Sequence, residues 1–390
     1  MDKAKKSSFL RPIFIIALSR FAINLSRRFV YPFAPTIARQ LNVPVSSIQS
    51  IIGIQSGTGL ISPVLGPMTE RYGQKRAMIS ALLIMIPGSI LGALNSQFWI
   101  FALAMITAGI GKIIFDPAMQ SYIGKHVPYN RRGLAIGITE LSWAGSLLFI
   151  APVAGFLLEN YGLQSVFALL AFAFTIALIS LWIQLPADNH AEASSQAITP
   201  FQIWRIVKDS PAAMGALGYT IFLVIANEIF FINYGIWMED SFGLTLTSLG
   251  FATMTIAAAE ATGEFVVIFF ADNLGKRRLT IIGATLSAFG YIIIMLLSFS
   301  LTLTLIGIFL LFVFTEIAIV ASISLFTETL PDNRSVMMSG NVGAQALGRV
   351  IGALLGGLLY GLISNFLIMG IISTGFGIIA ILLLWRFVSE

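Results

Sequence analysis

The chain contains no cysteine, and only 11% of its residues are charged. Without cysteine, disulfide bonds and thiolate metal sites are excluded. The charge content is low, because soluble chains carry about 25% charged residues. Only two histidines are present, and both lie outside the long apolar segments, so an imidazole proton relay within a membrane is not expected. The chain has neither the GxxxxGK[ST] loop of ATP-driven pumps nor the HExxH pair of zinc hydrolases.

Hydrophobic residues make up 57% of the chain, and the mean hydropathy is +0.90. Soluble chains have about 45–50% apolar residues, so this composition indicates a membrane protein. Twelve apolar segments are each close to the ~20 residues that a helix needs to cross a bilayer. These predicted spans one to twelve lie at about 12–38, 46–69, 77–95, 98–124, 134–158, 163–184, 212–238, 247–270, 279–299, 302–327, 335–361 and 365–386.

A short motif occurs twice in the chain, each time between two apolar spans. The first copy, GPMTERYGQKR, begins at Gly66, and the second, DNLGKRR, begins at Asp272. When the copies are aligned on Gly73 and Gly275, both have an acidic residue three positions earlier and at least two basic residues in the next three positions. Such a recurrence at half the chain length indicates an internal repeat.

The repeat extends beyond the motif, because Asn24 and Tyr31 of span one recur as Asn227 and Tyr234 of span seven. An even number of spans in each repeat requires two halves with the same orientation. The sequence therefore predicts an all-α integral membrane protein with twelve transmembrane helices in two pseudo-symmetric six-helix bundles. The bundles are residues 1–184 and 211–390, and residues 185–210 form a cytoplasmic linker with a short surface helix. An entirely irregular linker is the alternative.

The repeated motif resembles the loop signature of the major facilitator superfamily, G-x-x-x-D-[RK]-x-G-[RK]-[RK], and the resemblance covers essentially the whole chain. The first copy matches the signature at Gly66, Arg71, Gly73, Lys75 and Arg76, with Glu70 in place of aspartate and Gln74 in place of a basic residue. The second copy keeps Asp272, Gly275, Lys276 and Arg277. The resemblance implies a central cavity between the two bundles.

We predict that the two motif copies are gating loops, whose polar contacts form in one conformation of the transporter and break in another. Gly66 lets span two pack closely, and Gly73 permits a tight turn with positive φ. The alternative is an ordinary basic turn that only sets topology. The predicted gating residues are Gly66, Glu70, Arg71, Gly73, Lys75, Arg76, Asp272, Gly275, Lys276 and Arg277.

Eleven charged residues lie inside the predicted spans, where each costs about 2.5–3.5 kcal/mol at a helix centre that faces lipid. Spans three, six, nine and twelve, which are outer supports in the superfamily, contain none. We therefore expect the charges to line a wet cavity or to pair with one another. They are Arg20, Arg27, Arg28, Lys112, Asp116, Glu140, Glu228, Glu260, Glu264, Glu316 and Arg349.

These residues, with their polar neighbours, divide into three predicted groups. Lys112 and Asp116 are four residues apart and can pair within one helix. Carboxylates within a membrane can load and release protons, and the predicted proton-coupling residues are Glu228, Glu260, Glu264 and Glu316. The predicted substrate-cavity residues are Asn24, Arg27, Arg28, Tyr31, Asn227, Tyr234, Gln345 and Arg349. The alternative for all three groups is that buried pairs only hold helices together.

Lysine and arginine predict the orientation of the chain in the membrane. With a cytoplasmic N-terminus, the external side receives only Arg39. We therefore expect a multi-pass protein of the cell membrane with both termini in the cytoplasm. The residues on the cytoplasmic side are then Lys3, Lys5, Lys6, Arg11, Arg71, Lys75, Arg76, Lys125, Arg131, Arg132, Arg205, Lys208, Lys276, Arg277, Arg278, Arg334 and Arg386.

The resemblance implies a secondary active transporter that moves a small organic or amphipathic solute by alternating access, with proton-coupled efflux as the preferred interpretation. An exporter or flippase of a lipid-like anion and an organic-anion symporter are the alternatives, and a membrane receptor or enzyme is the alternative outside transport. The span-five signature of drug–proton antiporters is only partly kept, at Pro152 and Gly155, and Met105 stands where their span-four arginine is expected. The expected partners are the solute, protons and lipid, and we expect the protein to be a monomer. We expect no enzyme activity, cofactor, metal or nucleic acid.

Overall fold

The computed structural model describes residues 10–61, 73–128, 131–186, 205–330 and 333–388, apart from the side chains of residues 133, 272 and 335. All regular secondary structure in these ranges is helical. The α-helices are α1 (Leu10–Arg28), α2 (Val30–Leu41), α3 (Val45–Gly57), α4 (Gln74–Leu94), α5 (Phe98–His126), α6 (Arg132–Asn160), α7 (Leu163–Gln184), α8 (Pro211–Phe242), α9 (Leu246–Leu274), α10 (Lys276–Leu296), α11 (Leu301–Phe326), α12 (Arg334–Ile363) and α13 (Phe366–Phe387).

Ten helices, α4 to α13, are long and apolar enough to cross a membrane. They correspond in order to the predicted spans three to twelve. Span one is divided into α1 and α2, and the described part of span two consists of α3 and a 3-10 turn (Thr58–Ile61). The described residues therefore provide ten candidate spans by length and composition, and the count of twelve stays a prediction.

Span one is interrupted at Phe29, between α1 and α2. Pro32 lies four residues after Arg28, so its ring crowds the Arg28 carbonyl and offers no N–H to it. Phe29 nevertheless keeps near-helical angles (φ −70°, ψ −27°). The interruption is therefore confined to one residue of predicted span one, at a position where proline removes a helical hydrogen bond, and we call it the kink at Phe29.

The helices form two packed groups. The first group comprises α1 to α7, and its largest internal contacts are the pairs α4–α5, α4–α7 and α1–α6. The second group comprises α8 to α13, and its largest internal contacts are the pairs α8–α12, α8–α13, α10–α11 and α9–α11. The largest contacts between the groups are α6 with α9 and α3 with α12, so α3, α6 and α9 lie at the boundary. The two parts of span one have different neighbours, because α1 packs on α5, α6 and α7, whereas α2 packs mainly on α8 and α3.

One end of the molecule is closed by small residues that let backbones from the two groups approach. A Cβ atom built on Gly250 of α9 would collide with the backbone of Ala151 on α6, and one built on Gly235 of α8 would collide with the backbone of Pro32. Gly155 of α6 meets the backbone of residues 246 and 247 in the same way. Close backbone approach through glycine is a common way for membrane helices to pack. We call this end of the helices the closed end.

Polar contacts reinforce the closed end. Arg39 Nη1 donates to Glu239 Oε2 over 2.9 Å, and Thr36 Oγ1 donates to the other oxygen of Glu239 over 3.2 Å. The backbone N–H of Thr247 donates to Glu159 Oε2 over 2.8 Å. Each of these bonds joins the first group of helices to the second, so the closed end is fastened by both backbone packing and hydrogen bonds.

The opposite end carries Arg11, Lys75, Arg132 and Arg277, and we call it the basic end. The turns of the two motif copies lie at this end. Their glycines have positive φ, 94° at Gly73 and 86° at Gly275, and such conformations favour glycine. Of the other predicted gating residues, Gly66, Glu70 and Arg71 and the side chain of Asp272 lie outside the described residues.

One basic side chain of each turn bonds to the end of the last helix of its own group. Lys75 Nζ donates to the carbonyl oxygen of Trp182 over 2.8 Å, at the end of α7. Arg277 Nε donates to the carbonyl oxygen of Val388 over 2.7 Å, just after α13. Both contacts stay within one group of helices.

Two further predictions concern the chain outside the apolar spans. Residues 187–204, which contain most of the predicted linker and His190, lie outside the described residues. Residues 205–208, the last part of the predicted surface helix, are helical. The other histidine, His126, ends α5 and stacks on Tyr122 with ring centroids 4.2 Å apart.

Candidate functional site

A buried ion pair joins the two groups of helices near the middle of the molecule. Arg28, the last residue of α1, donates from Nη2 to Glu260 Oε2 of α9 over 2.5 Å. Their side chains are 3% and 6% exposed, so water screens this pair little. The Arg28 Nε atom is buried without a partner among the described residues. Two residues predicted from sequence for different roles, substrate binding and proton coupling, therefore form one contact.

A second contact between the groups lies about one helical turn from the first. Tyr31 of α2 donates its hydroxyl to Glu228 Oε1 of α8 over 2.8 Å. The Tyr31 ring stacks on Phe231, with centroids 4.5 Å apart. Glu228 is 2% exposed, and Gly352 of α12 packs against its side chain. The absence of a side chain on Gly352 thus makes room for a carboxylate between α8 and α12.

Trp143 of α6 lies among four cationic side chains. The Cζ atom of Arg28 lies 4.3 Å from the centroid of the indole, and those of Arg27 and Arg349 both lie 6.0 Å away. The Lys112 Nζ atom lies 5.7 Å from the same centroid. An aromatic face attracts cations at these distances, and tryptophan does so most strongly. The ring therefore provides a partial partner for positive charges that come from both groups of helices.

The remaining charges of the first group form a network between α1, α5 and α6. Arg20 Nη1 lies 2.9 Å from Glu140 Oε1, and Arg20 Nε lies 3.4 Å from Asp116 Oδ1. Lys112 Nζ lies 2.8 Å from Asp116 Oδ2 and donates to Asn24 Oδ1 over 2.9 Å. The two residues predicted to pair thus lie in contact, and they are joined to Arg20 and Asn24. Asn24 is fully buried in this network.

Glu264 of α9 and Glu316 of α11 are partly buried and have no hydrogen bond or ion pair within the described ranges. Both interact electrostatically with Glu260, and Glu316 also interacts with Glu264. The second group of helices therefore places three carboxylates near one another, of which only Glu260 has a basic partner.

The other predicted cavity residues have different surroundings. Tyr234 is completely buried, and its hydroxyl accepts a hydrogen bond from Thr253 over 3.3 Å. Asn227 has a buried Oδ1 atom without a partner in the described part of the chain. Gln345 and Arg349 lie half-buried on α12, without a hydrogen bond or ion pair in the described part of the chain. Tyr234 thus presents no surface to a solute in this conformation, whereas Gln345 and Arg349 do.

Several residues of the site were not predicted from the sequence. Trp143 is the main one, because a tryptophan within an apolar span gives no signal that distinguishes a cavity wall from a lipid-facing position. Ser56, which accepts from Arg27 over 2.9 Å, and Ser142, which accepts from Asn24 over 3.3 Å, were missed for the same reason. Trp143 follows Glu140 by three residues, so the helical spacing from a predicted charge was the available clue.

The comparisons with known proteins agree with this architecture. A family model described as Major Facilitator Superfamily matches residues 16–233 and 216–390. The crystal structure of the D-xylose-proton symporter has a TM-score of 0.80 to this chain and covers 98% of each chain at 16% sequence identity, so it shares the fold. The chain therefore belongs to the major facilitator superfamily. It is a multi-pass membrane protein for secondary active transport.

The sequence relatives include transporters whose names describe drug resistance. Multidrug resistance protein 2 of Bacillus subtilis (strain 168) is 23% identical over 278 residues, which is 69% of each chain. The uncharacterized MFS-type transporter YwfA of the same organism is 27% identical over 145 residues, and the match spans 36% of this chain and 35% of YwfA. The match to YwfA thus covers about a third of that protein.

Proposed function

We propose that the protein is a twelve-span, proton-coupled transporter that expels a small organic or amphipathic solute. In this proposal residues 1–184 and 211–390 form two six-helix halves that rock about the central site. The name of Multidrug resistance protein 2 supports a drug-like organic solute, and efflux is the proposed direction of transport. The observed conformation, in which packing and hydrogen bonds hold the closed end together, is then the state that receives solute from the basic end.

The buried ion pair between Arg28 and Glu260 is the observation that carries the proposal. Removing one partner from a buried pair costs about 3–5 kcal/mol, because the other charge is left without compensation. Protonation of Glu260 removes its charge in the same way and weakens the link between the halves. A proton that reaches this carboxylate therefore changes the relative stability of two arrangements of the halves, which is what coupling requires.

Two other carboxylates give the proton a place to enter. Glu264 and Glu316 lie near Glu260 and form no ion pair in the described part of the chain. We propose that a proton binds first among these three carboxylates and that its arrival at Glu260 frees Arg28. The bond from Tyr31 to Glu228 then breaks with the same movement, because it joins the same two halves.

The test is transport by purified protein in liposomes with an imposed pH gradient and an internal pH dye. Glu260→Gln, which cannot release a proton, should reduce pH-driven transport about 10-fold or more while exchange of solute at equal pH continues. Glu328→Gln is the matched control, because Glu328 is exposed and pairs only with exposed Arg334. If the single variants at positions 260, 264 and 316 all move protons with solute at the native rate, the proposed coupling site is wrong.

We also propose that the basic end faces the cytoplasm, because almost all lysine and arginine residues outside the spans belong to that end. The absence of native cysteine allows single thiols to be introduced cleanly. An impermeant maleimide should label Gln40→Cys, at the closed end, in intact cells and should leave His190→Cys unlabelled. Labelling of position 190 from outside would contradict the orientation.

A further inference from the structure

The four cations around Trp143 differ in whether a carboxylate neutralises them. Arg28 pairs with Glu260, and Lys112 pairs with Asp116. Arg27 has only the hydroxyl of Ser56 as a hydrogen-bond acceptor, and Arg349 has neither a hydrogen bond nor an ion pair in the described part of the chain. Two of the four positive charges at this ring therefore have no ion pair among the described residues.

The two unneutralised guanidinium groups belong to opposite halves and lie close together. Arg27 is on α1 and Arg349 is on α12, and each has its Cζ atom 6.0 Å from the centroid of Trp143. Their separation is thus at most twice this distance, and their charges repel each other. Both side chains and the indole are half-buried, so they keep accessible surface within the bundle. Repelling charges that remain accessible favour the binding of an anion between them.

The negative groups nearest to Arg349 do not fill this role. Glu228 interacts electrostatically with both Arg349 and Arg27, but it forms an ion pair with neither among the described residues, and one carboxylate cannot neutralise two guanidinium groups. Asp116 is held by Lys112 and Arg20. The described residues therefore leave a net positive charge at the two guanidinium groups.

We propose that the solute is an aromatic organic anion, whose ring packs on Trp143 and whose acidic group binds between Arg27 and Arg349. This inference rests on the proposed transport function and specifies its substrate class. A planar guanidinium binds a carboxylate, sulfonate or phosphate oxygen pair with two parallel hydrogen bonds. An aromatic cation fits the same ring poorly, because positive charges already surround the indole. Since Arg27 and Arg349 come from opposite halves, the anion links the halves as it binds.

The test uses two aromatic probes of the same size and of fixed opposite charge. These are 2-naphthalenesulfonate and 2-naphthyltrimethylammonium, with neutral 2-naphthalenesulfonamide as the uncharged reference. Binding to the protein in lipid nanodiscs is measured by equilibrium dialysis at constant ionic strength. We expect the sulfonate to bind at least about 10-fold more tightly than the other two probes. Equal binding of the three probes, or tighter binding of the ammonium, would overturn the inference.

Variants distinguish the contribution of the two arginine charges to binding from that of the Trp143 ring. Arg27→Gln and Arg349→Gln should each weaken sulfonate binding about 10-fold and leave sulfonamide binding unchanged, and Arg27→Lys should retain part of the affinity. Trp143→Leu should weaken binding of both the sulfonate and the sulfonamide. Arg386→Gln is the control, because Arg386 is exposed at the end of α13. Unchanged sulfonate binding in both arginine variants would also overturn the inference.

Transport in the same lipids distinguishes this inference from the proposed function. If the sulfonate binds as expected but is not driven across the membrane by a pH gradient, the substrate class stands and the proposed proton coupling fails. If the ammonium is driven by a pH gradient and binds equally well to Arg27→Gln and Arg349→Gln proteins, the coupling stands and the substrate class is wrong. In that case the unpaired carboxylates Glu264 and Glu316 are the alternative site for its charge.

Discussion

The closed end and the basic end of this transporter are held together in different ways. At the closed end, glycine-mediated packing and the bonds to Glu159 and Glu239 join one half to the other. At the basic end, Lys75 and Arg277 bond to the last turn of a helix in their own half. One end thus has contacts that must break during alternating access, and the other has contacts that can persist throughout it.

This difference changes the interpretation of the repeated motif. The sequence suggested that both copies act as gates between conformations, and Lys75 and Arg277 each also bond to a helix of their own half. A charged donor at the C-terminal end of a helix satisfies carbonyl groups that have no partner within the helix. In this conformation Lys75 therefore attaches α4 to α7, and Arg277 attaches α10 to α13. The gating role of the acidic residues Glu70 and Asp272 stays a prediction.

The largest expected effect comes from filling the space at the closed end. Gly250→Leu places a side chain against the backbone of α6 at Ala151, and overpacking of this kind costs about 1–3 kcal/mol. The closed end should open more readily, which corresponds to about 5- to 150-fold in the equilibrium between conformations. The measurement is the rate at which an impermeant maleimide labels Thr36→Cys at that end.

Gly137→Leu is the matched control for this change. Gly137 lies on α6, nearer the basic end, and a Cβ atom built there meets nothing within 4 Å. Labelling of Thr36→Cys should be unaffected by the control substitution. Equal labelling rates in the Gly250→Leu and Gly137→Leu backgrounds would show that backbone approach at residue 250 does not keep the closed end shut.

A smaller effect is expected when one basic residue of each turn is replaced. Lys75→Gln or Arg277→Gln removes a charged donor from a helix end, which should lower stability by about 1 kcal/mol. The result should be a Tm lower by about 2 °C in detergent, with little change in the labelling of Thr36→Cys. If Lys75→Gln instead increases labelling at the closed end without lowering Tm, its turn acts as a gate as the motif suggested.

The smallest effect is expected at the ion pair between Arg39 and Glu239. The Arg39 side chain is 61% exposed, and exposed pairs contribute about 0–1 kcal/mol. Arg39→Gln should therefore change the labelling of Thr36→Cys less than about 5-fold and only at low ionic strength. A larger effect that persists at high salt would indicate that this pair, rather than backbone packing, keeps the closed end shut.

Much of the helical architecture could be predicted from the sequence, because membrane helices are specified locally by length and hydropathy. The predicted spans three to twelve correspond to α4 to α13. The kink at Phe29 was not predicted, although Pro32 provides a signal for it. A proline in a membrane segment can be accommodated by neighbouring groups, so its presence alone does not determine where a helix is interrupted.

The charged residues of the site could also be selected from the sequence, because charges in apolar spans are rare. Their partners could not. The pair Lys112–Asp116 follows from local spacing, whereas Arg28 and Glu260 are 232 positions apart and meet only through packing of the two halves. Trp143 has no charge to mark it, and its importance depends on three helices that bring cations to its faces.

The kink at Phe29 divides span one into two helices, and a change of angle at this residue would move α1 relative to α2. Helix α1 contains 19 residues, which at 1.5 Å per residue is about 28 Å of rod on one side of the pivot. A tilt of about 10° at Phe29 would displace its far end by about 5 Å, one turn of a helix. Since Arg28 lies beside Phe29 and Arg11 lies near the far end of α1, a small rotation beside the Arg28–Glu260 pair would displace the basic end of this helix by several ångströms.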